Sequence, residues 1–133
     1  MDWTLEVMVV PVSDLDRAKH FYADQLGFTL DHDTTISDEM RVVQLTPPGS
    51  GCSIVIGTGI IKNTPGSLKG VQLVVSDLDK ARAQLLERGV EVSEIQVFND
   101  MDGGRFVYFD DPDGNSWAVQ EIRARATGGE WKQ

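Results

Sequence analysis

Val12-Ser13-Asp14-Leu15-Asp16-Arg17-Ala18 returns later in the chain as Val75-Ser76-Asp77-Leu78-Asp79-Lys80-Ala81, with six identities and one Arg/Lys exchange. Each copy follows a β-branched run, Val7 to Val12 or Val71 to Val75. Each opens a helical pattern that stops at a glycine, Leu26-Gly27-Phe28 or Arg88-Gly89-Val90. A second stretch repeats at nearly the same offset. Arg41-Val42-Val43-Gln44-Leu45-Thr46-Pro47-Pro48 lies against Arg105-Phe106-Val107-Tyr108-Phe109-Asp110-Asp111-Pro112. Self-similarity in the same order over most of both halves means a duplicated module.

Local chemistry names the elements of each module. Ser13 or Asp14 suits the N-cap of the first helix, and Ser76 or Asp77 that of the second. Leu15, Ala18, Phe21, Tyr22 and Leu26 share one side of the first helix, as Leu78, Ala81, Leu85 and Leu86 do in the second. Gly27 and Gly89 suit the left-handed residue that ends a helix. Three short strands follow in each half, at 28–33, 40–46 and 52–58, then at 91–97, 105–110 and 116–122. The expected class is α+β: two tandem βαβββ modules forming a curved mixed sheet with a barrel-like cavity and helices outside. The expected domain covers residues 1–122, with module one at 3–58, module two at 70–122, and a tail over 123–133.

Strand alternation then divides the faces. Met8, Val10 and Val12 are expected under the first helix, and Val71, Leu73 and Val75 under the second. The opposite face is expected to carry Val7, Val9, Val42, Gln44, Ile54, Ile56, Gly70, Gln72, Phe106, Tyr108, Ala118 and Gln120. Apolar residues mixed with a few amides and one phenol have the composition of a small-molecule pocket.

Composition narrows the classes. The 133 residues are 41% hydrophobic and 25% charged, the balance of a folded globular chain. A formal net charge of −9 without a Lys/Arg stripe argues against nucleic acid. It favours cationic ligands on approach, but reads first as the surface of an ordinary soluble protein. No apolar run is long enough to span a bilayer, and the N-terminus lacks a signal-peptide pattern. A single cysteine, Cys52, fits a reducing compartment, so the expected location is cytoplasmic.

Val12 to Ala18, then Phe21-Tyr22 and Leu26-Gly27-Phe28, resembles the opening of vicinal oxygen chelate proteins, the glyoxalase, bleomycin-resistance and dioxygenase group. Asp111-Pro112-Asp113-Gly114-Asn115 resembles the turn before their last strand. The resemblance covers residues 3–122 and implies the fold more sharply than the activity. Metal-dependent members place four inward His, Glu or Gln ligands on the first and last strands of the two modules. The matching positions here are Val7, Gly70, Ala118 and, as the repeat mate of Ala118, Ile54. None of these side chains binds a divalent ion. The resemblance also implies a homodimer.

The remaining candidates weigh less. His20 reads as a surface residue, and His32, in Asp31-His32-Asp33, as a polar strand end. Cys52 has no evident histidine neighbour and reads as a packed thiol. Trp117 is expected in the core, and Met101 to Gly104 in a hairpin loop. The resulting expectation is a small-molecule binding protein without a cofactor or the family's standard metal, and with no nucleic-acid or membrane partner. Its ligand-binding residues are Val7, Gln44, Ile54, Gln72, Phe106, Tyr108 and Gln120. The alternatives are a lyase, isomerase or epimerase using the same cavity, or a partner protein that has lost its ligand. The sequence assigns no catalytic residue.

Overall fold

The computed structural model describes residues 1–59 and 62–127. The chain divides into two compact units, residues 1–68 with 111–115, and residues 69–110 with the stretch from 116 onward. The first unit contains β1 (Val7–Val9), α1 (Leu15–His20), β2 (Thr29–Ser37), β3 (Met40–Thr46) and β4 (Ser53–Thr58), with sheet order β1-β4-β3-β2. The second contains β5 (Val71–Val75), α2 (Leu78–Glu87), β6 (Gln96–Val97), β7 (Arg105–Asp110) and β8 (Ser116–Glu121), with order β5-β8-β7-β6. In each sheet the first strand runs parallel to the last and the other pairs are antiparallel. The βαβββ plan is therefore made twice. The described strands form two four-stranded sheets, not closed into a barrel.

The caps follow the repeat. The Asp14 carboxylate accepts from the Arg17 N–H at 3.0 Å, and the Asp77 carboxylate from the Lys80 N–H at 3.0 Å. Each cap satisfies an amide that has no partner inside the helix. Past His20 the first helix widens into a π-type turn over Phe21–Gln25. Gly27 and Gly89 end the two helical segments at φ 79° and 80°, where a Cβ would be strained.

Strand register decides which side chains meet the helices. Residues paired across strands share a face, and Leu45 pairs with Ile54 while Val43 pairs with Ile56. All four are buried, with Leu15, Ala18, Phe21 and Tyr22 in the same core. Ile54 and Ile56 therefore lie on the helix side, opposite to the expected face. The reason is a one-residue difference in turn length: residues 47–52 join β3 to β4, whereas residues 111–115 join β7 to β8. A slip of one residue moves every side chain to the other face. The register mate of Ala118 is Val55, since Val55 pairs with Val9 and Gln44 as Ala118 pairs with Gln72 and Tyr108.

In the second unit Leu73, Val107, Phe109, Trp117 and Val119 take the helix side, with Phe109 and Trp117 stacked at 6.1 Å. Trp117 is thus core, as the sequence led us to expect. Two strands differ from expectation. β2 runs on to Ser37, so His32 stands inside it, opposite Gln44. The stretch expected over 91–97 pairs only at Gln96–Val97 and through a lone bridge from Val92 to Phe109. The expected tail begins as a 3-10 turn over Arg123–Thr127, and Trp131 lies outside the described residues.

The Asp111 to Asn115 turn belongs to the first unit. The buried Asp111 carboxylate accepts from the Tyr22 hydroxyl at 2.7 Å, from the Asn115 amide at 2.7 Å, and from the backbone N–H groups of Asp113 and Asn115. Asn115, fully buried, also donates to the Pro11 carbonyl at 2.8 Å and accepts from the Leu68 N–H at 3.0 Å. Asp113 accepts from the Ser13 backbone N–H and pairs with Arg17. The motif is a structural clasp. Its polar groups are consumed by the start of α1, so Ser13 serves it rather than the helix cap.

Candidate functional site

Two open sheet faces, one in each unit, carry the side chains that do not meet a helix of their own module. On the first, β1, β4 and β3 present Val7, Val9, Val55, Gly57, Val42 and Gln44. Val7 is exposed, and Gln44 is half-buried. A bulge in β2 between Leu30 and His32 brings Asp31 against this face. Asp31 accepts from the Thr46 hydroxyl and, at 3.5 Å, from the Gln44 amide, while Thr46 and Ser53 share a hydrogen bond of 2.6 Å. This face is aliphatic with a band of small polar groups at one end.

The second face is aromatic. Phe106 and Tyr108 stand two residues apart on β7 with ring planes 5° apart and centroids at 6.2 Å. Phe98 closes the row edge-on to Phe106 at 5.5 Å. Phe98 and Tyr108 are exposed, at 66% and 39%. Contiguous exposed apolar surface is a common feature of ligand-binding faces. Beside the rings, Gln72 of β5 and Gln120 of β8 are joined through their amides at 2.8 Å, and Gln120 also donates to the Gly103 carbonyl at 2.8 Å. Ala118 lies between Gln72 and Tyr108 in the register and gives the face a low floor.

The loop beside this face is held firmly. Asp102 accepts from the backbone N–H groups of Arg123 at 2.6 Å and Ala124 at 3.0 Å, and Phe98 donates its N–H to the Gly104 carbonyl at 2.8 Å. The Arg123 N–H is the main reason the Asp102 carboxyl sits below its ordinary pKa. Neither Phe98 nor the Asp102 clamp was found from sequence. Phe98 follows a strand that barely forms, so alternation gave it no face, and Asp102 acts through backbone amides that leave no sequence signal.

Of the seven sequence-named residues, Gln72, Phe106, Tyr108 and Gln120 come together on the second unit's open face. Val7 and Gln44 lie on the first unit's face. Ile54 lies on neither, being buried on the helix side with Leu45. His20 forms an exposed i,i+4 pair with Asp24 at 2.8 Å. Cys52 is half-buried, its thiol 3.7 Å from the Ser53 carbonyl. Asp77, Asp79 and Glu121 hold ligand-type oxygens within 4.8 Å of one another. Those charges are already answered: Glu121 accepts from the Leu78 N–H at 2.8 Å and pairs with Arg105 at 3.0 Å, and Arg105 also reaches Asp79 at 3.3 Å.

Two βαβββ modules, helices capped at matching Asp residues and an open face on each sheet define the class. The chain belongs to the Glyoxalase/Bleomycin resistance protein/Dioxygenase superfamily, whose model matches residues 4–119. It is similar to TnmS3, an antibiotic binding protein from Streptomyces sp. CB03234. The two are 36% identical with a TM-score of 0.79, over 91% of this chain and 97% of that one. It is similar also to a superfamily member from Sphaerobacter thermophilus DSM 20745, 30% identical with a TM-score of 0.77, over 90% and 98% of the two chains. Among curated proteins, the uncharacterized protein YwkD of Bacillus subtilis (strain 168) is 31% identical over 109 residues, 76% of this chain and 83% of that one. No helix among the described residues is long and apolar enough to cross a membrane.

Proposed function

We propose that the chain is a small-molecule binding protein, of the kind its antibiotic-binding relative represents, and that it works without the superfamily's standard metal. The observation that carries the reading is the aromatic row on the second sheet, with the Phe106 and Tyr108 ring planes parallel to within 5° and the Gln72–Gln120 amides beside them. Flat rings stack on such a row with offset geometry, and the amides orient what the rings hold. The positions matching the family's ligands carry Val7, Val55, Gly70 and Ala118, whose side chains have no donor atom for a metal. The donor set does not fit an ion, so no step is assigned to one.

The test has two arms. Equilibrium binding of the planar three-ring compound carbazole, followed by its fluorescence, is expected to saturate at one site per chain and to weaken in Tyr108→Ala. Elemental analysis after dialysis against metal-free buffer is expected to show no stoichiometric metal. About one tightly held Zn, Ni, Fe or Mn per chain would overturn the metal-free reading, and turnover of a bound compound would replace it with the lyase, isomerase or epimerase reading. We propose a homodimer as the assembly, supported by the exposed apolar side chains Met1, Trp3 and Leu5. Sedimentation as a monomer at micromolar concentration would count against it.

A further inference from the structure

We infer that Gln72 selects the ligand by presenting a fixed hydrogen-bond acceptor, so that this face admits planar aromatic molecules carrying an N–H or O–H at one edge. The inference rests on the binding function proposed above and names its ligand class. The Gly103 backbone carbonyl only accepts. The Gln120 atom 2.8 Å from it is therefore the amide nitrogen, and the other end of that side chain is the carbonyl oxygen. An oxygen again only accepts, so the Gln72 atom 2.8 Å away is its nitrogen. Orientation thus passes from a backbone group through two side chains.

The far end of the relay is the Gln72 Oε1 atom, to which no described residue donates. A free glutamine flips its amide at little cost and offers donor or acceptor as needed. In Gln72 the oxygen keeps its place, because flipping the amide would set two carbonyl oxygens 2.8 Å apart. It is exposed, and it stands in one row with Ala118 and Tyr108 on consecutive strands. Strands lie about 4.8 Å apart, so the acceptor and the phenol ring are roughly 10 Å apart at the backbone, with only a methyl group between them. A planar three-ring molecule set against Tyr108 bridges that span when its long edge, where carbazole carries the N–H, is turned toward Gln72. A ligand without a donor there buries the acceptor unpaired, while one with a donor pairs it, a difference of about tenfold in affinity.

Carbazole, N-methylcarbazole and dibenzofuran share one ring plane and no net charge, and only carbazole has the N–H. Titrated into the full chain, carbazole is expected to bind about tenfold more tightly than dibenzofuran. In Gln72→Met, a near-isosteric change at an exposed position, that ratio is expected to fall close to one. Gln120→Met, which cuts the relay and frees the Gln72 amide to flip, is expected to lower it as well, with circular dichroism checking the fold of both variants. Equal binding of carbazole and dibenzofuran by the native chain, or a ratio that survives in Gln72→Met, would overturn the inference and leave the aromatic platform standing. Failure of all three compounds to bind the folded native chain would overturn the platform itself, and the inference with it.

Discussion

Val42 and Gln44 hold the register positions in β3 that Phe106 and Tyr108 hold in β7. Val9, Val55 and Gly57 likewise stand where Gln72, Ala118 and Gln120 stand in the second sheet. Each of these five equivalent pairs differs. The helix sides share a charge arrangement. Asp16 pairs with Arg41 at 2.8 Å in the first module, and their repeat mates Asp79 and Arg105 pair at 3.3 Å in the second. A second carboxylate completes each set: Asp33 on β2 in one, Glu121 on β8 in the other. The face that closes on its own helix is constrained by packing and charge pairing and has kept its apolar character and this ion pair, although Phe109, Trp117 and Val119 stand where Leu45, Ile54 and Ile56 stand in the first sheet. The open face carries no such constraint, and there the modules have taken different chemistry.

The largest expected difference between the modules lies in their turns. Asp111→Ala leaves the buried Asn115 amide and two backbone N–H groups without their acceptor and is expected to cost at least about 3 kcal/mol. Pro48→Ala, in the exposed turn of the first module, is expected to stay within about 0.5 kcal/mol. Urea unfolding of both variants measures the gap, and equal midpoints would mean that the clasp is ornamental.

Face assignment is tested next. Leu73→Trp crowds the helix side and is expected to lose about 1–3 kcal/mol, while Gln72→Trp on the open face loses less. Thermal melts in the reverse order would mean that inside and outside are exchanged in the second sheet. Binding gives a further contrast. Tyr108→Ala is expected to weaken carbazole about tenfold through lost stacking, whereas Gln44→Ala, its register mate, is expected to leave carbazole affinity within about twofold. A larger loss from Gln44→Ala would draw the first sheet into the site.

The smallest effect is electrostatic. Hydrogen bonds from Arg41, and then from Lys19, hold the Asp33 carboxyl well below its ordinary range. Because its folded value lies below the unfolded one, its contribution is present above about pH 4 and is lost as pH falls through the folded value. At this partly exposed site the network is worth about 0.5–1 kcal/mol. Asp33→Asn is expected to lose that amount at pH 7 and to match the native chain at the lowest pH where both still fold. A gap that persists unchanged into strong acid would show that packing, not charge, explains it.

The duplication, the cap sites at Ser13-Asp14 and Ser76-Asp77, the glycine helix ends and the placing of Phe106 and Tyr108 on one face were legible in the residues. Each rests on local periodicity or on a backbone preference that acts within a few positions. Membership of the superfamily was legible for the same reason, since its motifs are short and contiguous. Ile54 was assigned to the wrong face because turn length, not strand pattern, sets register, and a one-residue change in a turn leaves alternation intact on either side. Phe98, the Asp102 clamp and the Gln72–Gln120–Gly103 relay join segments far apart in sequence through single hydrogen bonds or ring contacts. Such contacts carry no periodic signal. Sequence determined which side chains the sheets would carry. Only tertiary structure decided which of them share a face and which way the Gln72 amide points, because both depend on partners that chain folding brings together.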